Sequence, residues 1–286
     1  GGGMKGKKSL RSVLGNATLL VFCLMYLSPI YIIVVNSFKS RAEMYTNVLA
    51  LPQTLTWEYY AGAVQRMDFI NVFKNSLIVT LCSVVVIVVL CSMAAWMLVR
   101  TRTRLSRFLY SFLIVTMLIP FQTVMMPLMQ EMNTFTKALG IPMKNSLGGL
   151  IFMYAGFGAG MGVFLFHGFV KSSVPASLEE AAIIDGCNIW QVFWRIVFPI
   201  LKPTTVTVVI LDVIWIWNDY LLPSLTLTSN ANKTIPVMTS LFFGTYTIEW
   251  NMAMAALTMT IIPVIIFYFS AQKHIIKGIM AGAVKG

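Results

Sequence analysis

Three carboxylates, Glu179, Glu180 and Asp185, fall within seven residues of the stretch LEEAAIIDGCNIWQVFWRIVFPILKP, Leu178 to Pro203. The 286-residue chain holds only ten acids, so no other stretch is as dense in negative charge. Carboxylates on a short exposed helix can pair with basic or amide groups of a partner surface. The plainer reading is a solvated loop with ordinary helix caps. A second set follows: Asp212 and Asp219 stand seven residues apart, on one helix face, inside an apolar run. Carboxylates within a membrane are costly and usually face a cavity or a partner. Beside them Trp217, Asn218 and Tyr220 offer aromatic faces and hydrogen-bonding groups. Asn218 and Asp219 could equally bond neighbouring helices or cap a bend before Pro223.

No catalytic, cofactor-binding or metal-binding residue is expected. His167 and His274 sit at the ends of apolar runs, with no Ser, Glu or second His at useful spacing. Cys23, Cys82, Cys91 and Cys187 lack the spacing of a zinc site and read as packing residues. GFGAGMG, Gly156 to Gly162, superficially resembles a nucleotide loop. It follows no strand and lacks Gly-Lys-Ser/Thr, so close helix packing through small residues is the better account.

The elements that must position these residues are membrane helices. Hydrophobic residues make up 58% of the chain and charged ones 11%, with a mean hydropathy of +0.79. A soluble domain of this length needs far more charge to cover its surface. Apolar runs of about 20 residues, enough to cross a hydrocarbon core roughly 30 Å thick, recur six times: 14–36, 75–99, 107–129, 147–170, 204–227 and 252–271. None alternates in the manner of a barrel strand, so an all-α bundle is expected. With the N-terminus inside, the inner segments hold 14 of the 21 basic residues and the outer ones 7. The acid-free RTRTRLSR of Arg100 to Arg107 is the sharpest inner signal. The net charge of +11 is therefore a mark of topology, and no nucleic-acid partner is expected. Gly1-Gly2-Gly3 before Met4 reads as a cloning remnant, and no cleaved signal peptide is expected. The segment Leu55 to Ser76 predicts a short amphipathic helix at the outer interface.

The acidic stretch then lies inside, between the fourth and fifth spans. Ser177 with Glu180 reads as a capping box, which starts a helix at Leu178. Gly186 ends it in the left-handed conformation, and Asn188 with Gln191 caps a second helix. Ile189, Val192, Phe193, Ile196 and Val197 form an apolar stripe before Pro199 and Pro203.

EAAIIDG followed by IVFPILKP resembles the cytoplasmic coupling motif of binding-protein-dependent ABC importer permeases. The match covers Glu180, Ala181, Ala182, Asp185, Gly186, Ile196, Pro199 and Pro203. KNSLIVT, IPFQTVMMPL, WNDYLLP and AGAVKG agree with the carbohydrate-uptake branch, which contains the smaller maltose permease subunit. The resemblance implies a type I importer permease fold in the bacterial cell membrane, with six spans and both termini cytoplasmic. The expected partition is a cytoplasmic N-terminus at 1–13, a permease domain at 14–271 with a coupling loop at 171–203, and a cytoplasmic tail at 272–286. The implied partners are a second permease, two ATPase subunits that hold ATP and Mg, an external or periplasmic sugar-binding protein, and membrane lipid. Glu179, Glu180, Ala181, Ala182, Asp185 and Gly186 would dock on the ATPase, as an exposed acid cluster on a rigid helix. Gly282 and Lys285, in a glycine-rich flexible tail, would reach between the ATPases. Asp212, Trp217, Asn218, Asp219 and Tyr220 are the candidate substrate pathway. The alternative is a single-chain secondary transporter of a small polar solute, which usually shows inverted repeats; none is visible.

In a cysteine-free background, a cysteine at Thr228 should be labelled by an impermeant thiol reagent added outside whole cells, and one at Arg104 should not. The reverse pattern would overturn the charge-based orientation.

Overall fold

The computed structural model describes residues 10–244 and 248–283, and its regular elements are all helical. In chain order they are α1 (Leu10–Asn36), α2 (Arg41–Thr46), α3 (Glu58–Met67), α4 (Phe69–Arg100), α5 (Arg104–Thr116), α6 (Phe121–Leu139), α7 (Leu147–Ser173), α8 (Ala176–Ile184), α9 (Ile189–Val192), α10 (Phe198–Ile200), α11 (Lys202–Asn218), α12 (Leu221–Thr226), α13 (Ile235–Thr239) and α14 (Trp250–Ala283). Among the described residues, α1, α4, α7 and α14 are each long and apolar enough to cross a membrane. Two bent pairs of helices bring the number to six when each pair counts as one span.

The bends correct two expected spans. The run 107–129 is not one helix, because α5 and α6 meet at 108°. Pro120 is extended (ψ 133°) at the start of α6. A proline offers no N–H to the preceding turn and steers the residue before it away from helix. The run 204–227 stops being one helix at Asn218, where Asp219 becomes extended (ψ 127°) and α12 begins two residues later. At its other end, α11 meets the Ile189–Ile200 arm at 75°.

The chain divides into two compact units, residues 1–67 with 239–262 and residues 68–238 with 263–286. In the first, a capping box between Ser40 and Glu43 starts α2. The buried Lys39 Nζ donates to the carbonyls of Asn47 (3.0 Å) and Val48 (3.2 Å). The expected interfacial helix is α3, whose last turn carries Arg66 paired with Glu249.

The second unit is built on α4 packed along α7. Valines, Ile87, Cys91, Ala95 and Trp96 of α4 are buried there, facing Leu150, Met153, Tyr154, Val163, Phe166 and Val170 of α7. The glycine run lies in this seam. A Cβ on Gly158 would sit 2.6 Å from Ile87 Cδ1, and one on Gly162 would sit 2.8 Å from Cys91 Sγ. On the other side, a Cβ on Gly160 would meet the Leu113 carbonyl oxygen of α5 at 2.9 Å. Close packing is thus the role of these glycines. The 226–235 connection is fixed by side-chain amides and one hydroxyl. Asn145 Oδ1 accepts from the N–H groups of Thr228 (3.2 Å) and Ser229 (2.8 Å). Asn71 and Asn75 donate to the Ala231 carbonyl, Asn75 also donates to Lys233 O (3.0 Å), and Ser76 Oγ accepts from Ile235 N (2.9 Å).

Overpacking a well-filled core costs typically about 1–3 kcal/mol. Gly158→Ala should therefore lower the unfolding temperature of the purified protein in detergent by a few degrees. In an Ile87→Ala background the same change should cost almost nothing, because its obstacle has gone. Equal losses in both backgrounds would place the steric conflict elsewhere.

Candidate functional site

Helix α8 starts at Ala176 with Pro175 at its N-cap and no side-chain cap. The Ser177–Glu180 capping box is therefore replaced by a start two residues earlier. Proline suits this place, since its missing N–H lies among those a helix start leaves unpaired in any case. The end follows expectation. Gly186 takes φ +87°, its N–H donates to Ile183 O (3.0 Å), and Cys187 N–H donates to Ala182 O (2.9 Å). These two bonds make a Schellman motif, which satisfies the last carbonyls of α8 and turns the chain sharply. Asn188 and Gln191 then cap each other's backbone N–H at 2.9 Å, as the sequence predicts. Beyond α9, one π-turn spans Phe193–Val197 and leads into α10. Of the expected stripe, Val192, Phe193 and Val197 are buried and Ile196 is half-buried, whereas Ile189 faces outward.

The acids of α8 divide between two faces. Glu180 and Asp185 are exposed, together with Ala181, Ile183 and Ile184, the last 85% exposed. Trp190 of α9 is also exposed, at 60%. Glu179 and Ala182, one helical turn apart, point inward and are 7% and 5% exposed. The expectation of one exposed cluster thus holds for Glu180 and Asp185 and fails for Glu179. Glu179 meets residues of α4 that the sequence reading did not connect with it. Arg100 Nη2 donates to Glu179 Oε1 (2.6 Å), Arg100 Nε donates to both carboxylate oxygens (3.0 Å each), and Trp96 Nε1 donates to Oε2 (3.0 Å). Arg100 Nη2 also donates to Val174 O (2.8 Å) at the end of α7. In the sequence Arg100 reads only as a topological charge. Its partner lies 79 residues away, and no local spacing joins the two.

The residues of α11 are not brought together around one space. Trp217 lines a pocket of about 160 Å³ with Phe73, Leu77, Val213, Pro263 and Phe267. Its Nε1 is buried without a hydrogen-bond partner. Asp212 does not line this pocket; it is 5% exposed, and its Oδ2 has no partner. Asn218 Nδ2 donates to Ile214 O (2.8 Å), while Tyr220 is exposed. Asp219 ties the break in the span together. Its Oδ1 accepts from Leu221 N (3.0 Å), and its Oδ2 accepts from Tyr154 OH (2.8 Å) on α7. Tyr154, fully buried, was not among the expected site residues; only a partner across the bundle gives it a role.

Helix α14 continues to Ala283, so Gly282 belongs to a helix where a flexible tail was expected. Extending an existing helix costs far less than starting one, and glycine subtracts only about 1 kcal/mol per residue. Lys285 lies outside the described residues.

The described residues thus hold four long apolar helices, two bent pairs of helices, and a helix–glycine–helix element between α7 and α11, and these features can be set beside known proteins. Over 96% of its length the chain matches 99% of a chain in the crystal structure of a bacterial ABC transporter involved in the import of the acidic polysaccharide alginate, with a TM-score of 0.77 and 25% identity. Residues 87–280 match the family described as binding-protein-dependent transport system inner membrane component, and the chain belongs to that family. It is 46% identical to the probable starch degradation products transport system permease protein AmyC of Thermoanaerobacterium thermosulfurigenes, over 93% of this chain and 94% of the relative. It is 32% identical to the melibiose/raffinose/stachyose import permease protein MelC of Bacillus subtilis, over 98% of both chains. The chain is accordingly a multi-pass protein of the bacterial cytoplasmic membrane.

At the elbow, a Cβ on Gly186 would meet nothing within 4 Å, so only the positive φ resists substitution. Asn visits this conformation far more readily than a β-branched residue. Gly186→Asn should keep most of the transport measured in membrane vesicles, and Gly186→Val should abolish it at an equal level of inserted protein. Equal activity of the two variants would mean that the left-handed turn is not required.

Proposed function

We propose that this chain is one permease subunit of an ATP-driven importer of sugars or oligosaccharides. Its partners would be a second, homologous permease, two ATPase subunits carrying ATP and Mg, and an external sugar-binding protein. The observation that carries this reading is the outward face of α8. Exposed Ile183 and Ile184 beside Glu180 and Asp185 form a mixed apolar and acidic surface. An exposed apolar cluster of this kind marks an interaction site. Glu180, Ala181, Ala182, Asp185 and Gly186 are also the residues of the coupling motif. In this reading α8 seats in a cleft of the ATPase on the cytoplasmic side. Closure of the ATPases on ATP then shifts the helix bundle as a rigid body between inward- and outward-open states.

The names of the relatives, which refer to starch products and to raffinose-type oligosaccharides, support a sugar as cargo. For the route, the unpartnered Asp212 Oδ2 and Trp217 Nε1 supply an acceptor and a donor that a polyhydroxylated solute could use once the bundle opens. Asn218, Asp219 and Tyr220 would line its upper part, next to the break in the span. The end of α14 with Gly282 would reach toward the ATPases, and so would Lys285 in the sequence that follows it. Membership of a binding-protein-dependent family favours this scheme over a single-chain secondary transporter.

The test is copurification. The tagged chain, expressed in its native cells, should bring down an ATPase subunit, and Glu180→Lys or Ile184→Asp should lose that subunit and with it transport of every oligosaccharide in a labelled panel. Full ATPase recovery and transport with both variants would remove α8 from the docking role.

A further inference from the structure

One turn of α4 does more than end a helix. Trp96 and Arg100, four residues apart and so on one face, together touch three separate pieces of chain. Arg100 and Trp96 hold Glu179 of α8 through the four hydrogen bonds described above. Arg100 holds the Val174 carbonyl that ends α7. The Trp96 ring packs on Phe193, with ring centroids 5.5 Å apart, and Phe193 lies on the arm beyond Gly186. Both arms of the elbow and the end of α7 therefore converge on a single turn.

We propose that Arg100, Glu179 and Trp96 form a clasp that passes displacement of α8 directly to α4, which makes Glu179 a positioning residue rather than a contact with the ATPase. The inference rests on the reading of α8 as the ATPase-docking helix. Its physical basis is stiffness. Covalently, α8 joins the bundle through Val174–Pro175 on one side and the Gly186 elbow on the other. A push on a helix held only at two such joints would be taken up by rotation about them. A guanidinium fork on a carboxylate resists that rotation, because its donors sit in a fixed plane and match both oxygens. Burial strengthens the constraint: Glu179 is 7% exposed and Trp96 6%. Separating the charges would strand a carboxylate in a poorly solvated place. The force then enters α4, the helix that packs along α7 and also meets α11. Movement of the bundle thus need not pass through the 75° junction at α11 alone.

The experiment measures substrate transported per ATP hydrolysed by the complete reconstituted complex. Glu179→Gln preserves the shape of the side chain and removes its charge, and Arg100→Gln removes the fork. Each should lower the ratio about tenfold while the ATPase subunits copurify at wild-type amounts. The double variant should be no worse than either single one, since both break the same contact. Arg100→Lys, which keeps the charge without the fork, should fall between wild type and Arg100→Gln. A wild-type ratio in Glu179→Gln overturns the proposal, as do additive losses in the double variant. Loss of the ATPase from the Glu179→Gln complex also overturns it, by making Glu179 a docking contact. If Arg100→Gln does not accumulate in the membrane, Glu179→Gln decides alone. Glu180→Lys separates the two levels. Retained ATPase in that variant and in Ile184→Asp defeats the docking reading itself, whereas lost ATPase together with a wild-type ratio in Glu179→Gln defeats only the clasp.

Discussion

Two helices in a bilayer gain little apolar burial by meeting, because lipid is as apolar as their side chains. α4 and α7 come together instead by removing side chains from the seam. Gly158 and Gly162 admit Ile87 and Cys91 of α4, and Gly160 admits the backbone of α5. Close approach multiplies dispersion contacts, and each one is small. Everything else in the larger unit is placed by this seam. The buried stripe of α4 runs on through Ala95 and Trp96 to Arg100, which brings one cation to the edge of the bundle beside α8. A wider α4–α7 spacing would carry Arg100 away from both Val174 and Glu179.

The acids that the bundle shields wholly or in part fall into two physical kinds. Glu179 has two donors on each oxygen, so its charge is compensated and its geometry fixed. Asp219 is similarly occupied, by Tyr154 and by the backbone of the broken span. Asp212 differs: it is buried with an oxygen that nothing meets.

Much of this was legible from the sequence because its causes are local. The apolar runs, the left-handed Gly186, the Asn188–Gln191 cap and the close-packed glycines all follow from composition or spacing within a few residues. The bend at Pro120 was written in the chain but masked by uninterrupted hydrophobicity, which records greasiness and not direction. The start of α8 was misplaced because Ser177 offered a cap that Pro175 made unnecessary. The inward turn of Glu179 could not be read at all. Two adjacent glutamates look alike until a helix start assigns them to opposite faces and a distant arginine chooses one.

The asparagines that fix the 226–235 connection act with opposite polarity, and this bears on how the chain tolerates sequence drift. Asn145 uses its oxygen as an acceptor and adopts φ 53°, beside the start of α7. An aspartate there keeps the acceptor, tolerates the left-handed backbone and sits favourably near a helix N-terminus. Asn145→Asp would leave the connection in place. Asn75 uses its amide as a donor to two carbonyls. An aspartate there would turn a carboxylate toward the oxygens of Ala231 and Lys233, and the connection would lose its anchor on α4. Of two asparagines in identical Lys-Asn-Ser-Leu settings, one can be exchanged for aspartate silently and the other cannot.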